Sequence, residues 1–131
     1  MRVWSAAVLG AALGMACGGG AQAQDASKYQ DTVRCYNAAA VYAQQFVVAN
    51  LQGPMAAMIG YRDELKARAY AQGAALGKSK PAVRADFKDD TPAYVRQFFS
   101  FQQNRMALAP FGDAEVAYCG LDKVLKGVPG H

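Results

Sequence analysis

The cysteines carry the most specific chemistry in this chain. Cys35 and Cys119 stand 84 residues apart, whereas redox pairs and zinc ribbons use closely spaced Cys-x-x-Cys units. Two distant thiols in an exported helical protein read as one structural disulfide. The third cysteine, Cys17, lies inside what reads as an export signal. Catalytic constellations are missing from the pattern. His131 is the only histidine, which excludes a His-ligated zinc set and a His-based triad within one chain. There is no Cys-x-x-Cys-His haem attachment, Walker loop or dinucleotide glycine loop. The expectation is therefore no catalytic residue, no metal and no cofactor.

Three weaker groupings remain. Asp86, Asp89 and Asp90 offer the oxygen ligands calcium prefers, but their spacing fits no calcium loop and helix capping accounts for them. Tyr61-Arg62-Asp63-Glu64 packs polar groups into one turn, with Arg68 a turn further on. Arg62 and Glu64 become a polar contact for a ligand if that turn faces inward, and a solvated face if it does not. Tyr94, Phe98, Phe99 and Phe101 crowd one short helix, with Tyr42 on the first helix. Core packing explains part of this crowding, but the arc they cover is wider than a single packing face needs. The excess predicts an apolar groove or partner surface bordered by tyrosine hydroxyls.

Four helical segments must position these residues. The first spans Ser27–Leu51, with Ser27 and Gln30 spaced as a capping box. Its apolar positions Tyr29, Val33, Tyr36, Ala40, Ala43 and Val47 recur at helical spacing beside a second stripe, Cys35, Ala39, Tyr42 and Phe46. So wide an arc suits packing against two other helices. Gly53-Pro54 starts the second helix, which runs to Leu76 and stops at Gly77. The third is broken: Pro81–Asp90 is one piece, Thr91-Pro92 resets the chain, and a second piece continues to just before Pro110. The fourth spans Asp113–Lys126, followed by a Gly/Pro tail over residues 127–131. Short connections make consecutive helices antiparallel, so the expected fold is an all-α, up-down-up-down four-helix bundle broken near Pro92. In it, Cys35 and Cys119 both fall roughly 11–12 Å from the same end, level for a bond between helices one and four.

Arg2 followed by the uncharged run Val3–Ala16 and Ala21-Gln22-Ala23 reads as a signal peptide over residues 1–23. The run is too short to span a bilayer, which takes about 20 residues. Cleavage after Ala23 leaves residues 24–131 as one helical domain with no transmembrane segment. The expected destination is a bacterial periplasm; secretion, or a lipid anchor through Cys17, is the alternative. The net charge of +4 is spread along the chain, without the basic stripe of a nucleic-acid binder. In architecture alone the outline resembles the exported four-helix cytochromes, whose histidine ligand is missing here, and the small periplasmic acid-stress chaperones. No motif of either is matched. The reading is a non-enzymatic exported module that binds an unknown protein partner, chaperone-like or inhibitory; the alternative is a carrier of a small apolar or aromatic ligand between helices. An enzyme built on Arg and carboxylate groups ranks below both.

Overall fold

The computed structural model describes residues 2–102 and 105–129, with side chains from residue 20 onward. The Cys17 thiol, the side chains of Val3–Ala16 and His131 lie outside the described residues. The chain is mainly helical: α1 (Arg2–Val48), α2 (Gln52–Ala75), α3 (Lys80–Ala85), α4 (Pro92–Phe98), α5 (Pro110–Cys119) and α6 (Leu121–Leu125). A two-residue antiparallel ladder joins β1 (Phe99–Ser100) to β2 (Ala107–Leu108), with Phe99 opposite Leu108.

The fold is organised around α1. Cys35–Val41 is buried without interruption, so this stretch has no solvent face, as expected of a helix enclosed on all sides. Ala38, Ala39 and Ala40 keep its girth small where neighbours approach. Tyr29, Val33, Tyr36, Ala40, Ala43 and Phe46 are buried as their spacing predicts, whereas Val47 is exposed in the last turn. Helix α2 returns along α1 after a three-residue turn at 49–51 and buries Met58, Leu65 and Ala69. It closes at Gly77, whose positive φ of 79° gives the left-handed stop. Helix α5 packs on α1 through three contacts: Asp31 meets Tyr118, Arg34 meets Glu115, and Cys35 is bonded to Cys119.

The disulfide joins α1 to the last residue of α5, with Cα atoms of Cys35 and Cys119 5.4 Å apart. The expected helix boundaries are revised chiefly at five places. Helix α3 ends at Ala85, short of the expected Asp90, and the Lys88 N–H donates to Asn37 Oδ1 in place of a helical carbonyl. Ser27 is inside α1, since the helix continues on its N-terminal side and leaves no free amides there to cap. The aromatic segment leaves helical geometry at Phe99, where the extended backbone enters the β-ladder. Helix α5 starts at Pro110, ahead of Asp113, because proline is accommodated in the first turn. Finally, Gly120 adopts φ 64°, ψ 32° and divides the last segment into α5 and α6. A β-carbon at Gly112 would overlap the Phe98 carbonyl oxygen, so glycine there lets α5 seat against the end of α4. Beyond α6, Val128 and Pro129 lie against Gly53 at the start of α2.

Candidate functional site

The shortness of α3 and α4 leaves one side of α1 incompletely covered. Along it runs an open groove of about 690 Å³. Its floor is one face of α1: Ala26, Tyr29, Gln30, Val33, Arg34 and Asn37. At 1.5 Å per residue this floor is about 16 Å long. One wall comes from the α2–α3 side, Leu76, Lys78, Ala85, Asp86 and Lys88; the other comes from α4 and α5, Tyr94, Phe111 and Glu115.

Each wall is tied to the floor by polar contacts. Two tyrosines one heptad apart on α1 hold the segment after α3. The Tyr29 hydroxyl donates to Asp86 Oδ2 at 2.6 Å, and the Tyr36 hydroxyl donates to Asp89 Oδ2 at 3.2 Å. Between them, Asn37 Oδ1 accepts the Lys88 backbone N–H at 2.7 Å. Lys78 adds an ammonium contact to Asp86 Oδ2 at 3.3 Å. Burial, then the bond to Asp86, pushes the Tyr29 hydroxyl far above its ordinary pKa. The same bond, reinforced by Lys78, holds Asp86 below the usual carboxylate range. Tyr36 is raised to about 12, first by burial and then by the charge of Asp89. These acids are thus engaged by α1 side chains, which accounts for the aspartate cluster. Among the described residues, no group of three or more His, Cys, Asp or Glu could hold a metal.

The opposite wall is anchored by a buried ion pair. Glu115 is 3% exposed and receives Arg34 in fork geometry: Nε at 3.0 and 2.9 Å from the two carboxylate oxygens, and Nη2 at 2.6 Å from Oε1. Bidentate pairing of this kind fixes orientation as well as charge. The Arg34 guanidinium also lies 3.6 Å from the centroid of the Tyr118 ring, a cation–π arrangement. The hydrogen bonds that Arg34 donates to Glu115 raise the Arg34 pKa further.

Tyr94 completes the wall. Its ring packs 5.8 Å from Phe111 and 6.2 Å from Phe98, but its hydroxyl oxygen is buried and makes no hydrogen bond among the described residues. Buried polar atoms are normally paired. Gln45 Oε1 and Gln72 Oε1 are in the same condition, but neither lines the groove. Burial drives the Tyr94 hydroxyl well above the ordinary tyrosine value; Glu115 adds to the shift and Arg34 opposes it. The group remains a neutral hydroxyl, able to donate, across the physiological range.

The residues singled out from sequence are distributed as follows. Phe98 (0% exposed) and Phe99 (2%) are core residues and present no surface. Phe98 sits amid Tyr42, Tyr94, Phe99 and Phe111, which is why so many aromatics occur together. Tyr42 is half-buried in that cluster, and Phe101 is exposed on the hairpin. Only Tyr94 of the set reaches the groove. Arg62 pairs with its neighbour Asp63 at 2.9 Å on the surface; Glu64 is exposed, and neither belongs to the groove. Arg34, Glu115, Tyr29 and Asn37 were not candidates from sequence. Their signal was available once the disulfide was assumed, because Arg34 adjoins Cys35 and Glu115 lies one turn from Cys119. No protein-family model, curated protein or solved structure matches the chain.

Proposed function

We propose that this protein is a non-enzymatic carrier that holds a small, partly apolar molecule in the groove between α1, α3 and α5. The groove itself carries the reading. It combines apolar walls from Val33, Leu76 and Phe111 with a few fixed polar groups, the composition expected of a small-molecule site. In this account the fold is an up-down bundle whose third corner is cut short at Phe98, and the cut opens the groove. Export to an oxidising compartment belongs to the same proposal. Residues 20–25 are all exposed, and among the described side chains the first buried one is Tyr29, which is compatible with cleavage after Ala23. The crosslink would form in such a compartment. Among the described residues, no helix is long and apolar enough to cross a membrane.

Fluorescence titration with N-phenyl-1-naphthylamine, an uncharged aromatic probe that brightens in apolar sites, tests the groove. Ala85 is exposed and lines the mouth, so Ala85→Trp blocks entry without touching the core. Saturable binding lost in Ala85→Trp supports the carrier reading; binding unchanged by that substitution refutes it.

A partner-binding surface is the second reading. The observation favouring it is an exposed apolar set, Val47, Val48 and Leu51 at the α1–α2 turn with Phe101 and Met106 on the hairpin. Concentration-dependent self-association abolished by Val48→Asp would favour that surface over the groove.

A further inference from the structure

The charges around the groove are unequal in availability. Both carboxylates are already engaged, Glu115 by the Arg34 fork and Asp86 by Tyr29 and Lys78. Arg34 and Lys78 are engaged in the same pairs, but Arg34 keeps one edge open and Lys88 adds a third cation. Glu115 takes up Nε and Nη2 of Arg34 and leaves Nη1 outside the pair. Arg34 remains 41% exposed, held from below by Glu115 and from one face by the Tyr118 ring. Lys88 is exposed and takes part in none of the ion pairs among the described residues. The Tyr94 hydroxyl is buried with no partner on the same wall as Glu115. The lining carries three cations, Arg34, Lys78 and Lys88, against two carboxylates, Asp86 and Glu115, so its charge balance favours an anionic occupant. Such an occupant meets a guanidinium edge, an ammonium and an idle hydroxyl donor, already positioned.

Resting on the groove-binding reading, the geometry points to an amphipathic organic acid as the occupant: an apolar or aromatic body along Val33 and Phe111, with its carboxylate held by Arg34 and Lys88 and hydrogen-bonded by Tyr94. A carboxylate that met both the Arg34 guanidinium and the Tyr94 hydroxyl would accept charge-assisted hydrogen bonds, the stronger class. Their fixed placement limits the ordering needed on binding. Because Tyr94 has no partner among the described residues, donating to a ligand satisfies a hydroxyl otherwise left unpaired there.

Isothermal titration with three naphthalene probes of one size tests the head group: 2-naphthoate, methyl 2-naphthoate and 2-naphthylmethylamine at neutral pH. The acid is expected to bind at least about tenfold more tightly than the ester or the amine. Tyr94→Phe keeps the packed ring and is expected to weaken the acid about tenfold, more than it weakens the ester, whose carbonyl is the weaker acceptor. Lys88→Gln, at an exposed site, is expected to weaken the acid a few-fold and reduce the salt dependence of its affinity. If the ester or amine binds as tightly as the acid, or if both variants bind the acid like the parent, the head-group assignment is overturned while the groove reading stands. If none of the three probes binds, the groove reading falls and the assignment with it.

Discussion

Separating Arg34 from Glu115 is predicted to be asymmetric in its cost. The Glu115 side chain is 4% exposed and that of Arg34 is 41% exposed. Arg34→Met therefore strands a carboxylate in the interior, whereas Glu115→Leu strands a guanidinium that water can reach. Removing one partner from a fully buried pair costs about 3–5 kcal/mol. Solvent screening on the arginine side brings the expectation for Arg34→Met to about 2–3 kcal/mol. Loss of the contact with Tyr118 contributes to this. Glu115→Leu is expected to cost about 1 kcal/mol, since it gains apolar burial as it loses the pair. The double substitution leaves no stranded charge and is expected to sit near Glu115→Leu alone, giving a coupling energy of about 2–3 kcal/mol. Urea denaturation of the four proteins at constant m provides the cycle. Equal costs for the two single substitutions, or a coupling below about 0.5 kcal/mol, would refute the reasoning that Glu115 is the buried and dependent member.

Three further outcomes follow from the fold. Closing an 84-residue loop corresponds to at most about 4–5 kcal/mol in the chain-entropy model. Cys35→Ser with Cys119→Ser should lower stability by a large part of that amount, and alkylation of the oxidised protein should find no free thiol at either position by mass. Gly112→Ala should destabilise by about 1–3 kcal/mol in thermal melts despite alanine's better helix propensity, because its methyl group meets the Phe98 carbonyl. For Tyr36, the folded pKa of about 12 lies above the ordinary 10.0. Its contribution is therefore fully present below pH 10 and is lost as pH rises toward 12. Absorbance titration near 295 nm should show Tyr29, Tyr36 and Tyr94 ionising only together with unfolding, and Tyr36→Phe should reduce the alkaline loss of stability.

How far the structure could be read from the chain depended on whether the deciding interaction was local. The inner faces of α1 were legible because Tyr29, Val33, Tyr36, Ala40 and Ala43 repeat at helical spacing. Thr91-Pro92 and Gly77 were legible as breaks because proline and positive-φ glycine act within a residue or two. The Cys35–Cys119 pair followed from helix register. Phe99 was misplaced on a helix because its local sequence suits one. What prevails is tertiary: β1 pairs with β2, and the Ala109 N–H takes the Phe98 carbonyl at 3.1 Å. The groove was illegible for a related reason. Glu115 looked like an ordinary acid in the first turn of a helix, and its partner lies 81 residues away. Asp86 and Asp89 likewise resembled helix caps until Tyr29 and Tyr36 were placed over them. Tyr94 was identified as a site residue, but within an aromatic surface whose other members, Phe98 and Phe99, form core.

The central claim is that the groove floored by Val33, Arg34 and Asn37 takes up a small molecule. The most direct measurement is a comparison of N-phenyl-1-naphthylamine binding by the parent protein and by Ala85→Trp, with both shown to be equally stable in urea. The account predicts saturable one-site binding by the parent and its loss in the variant. Equal binding by both proteins, or none by the parent, would contradict it.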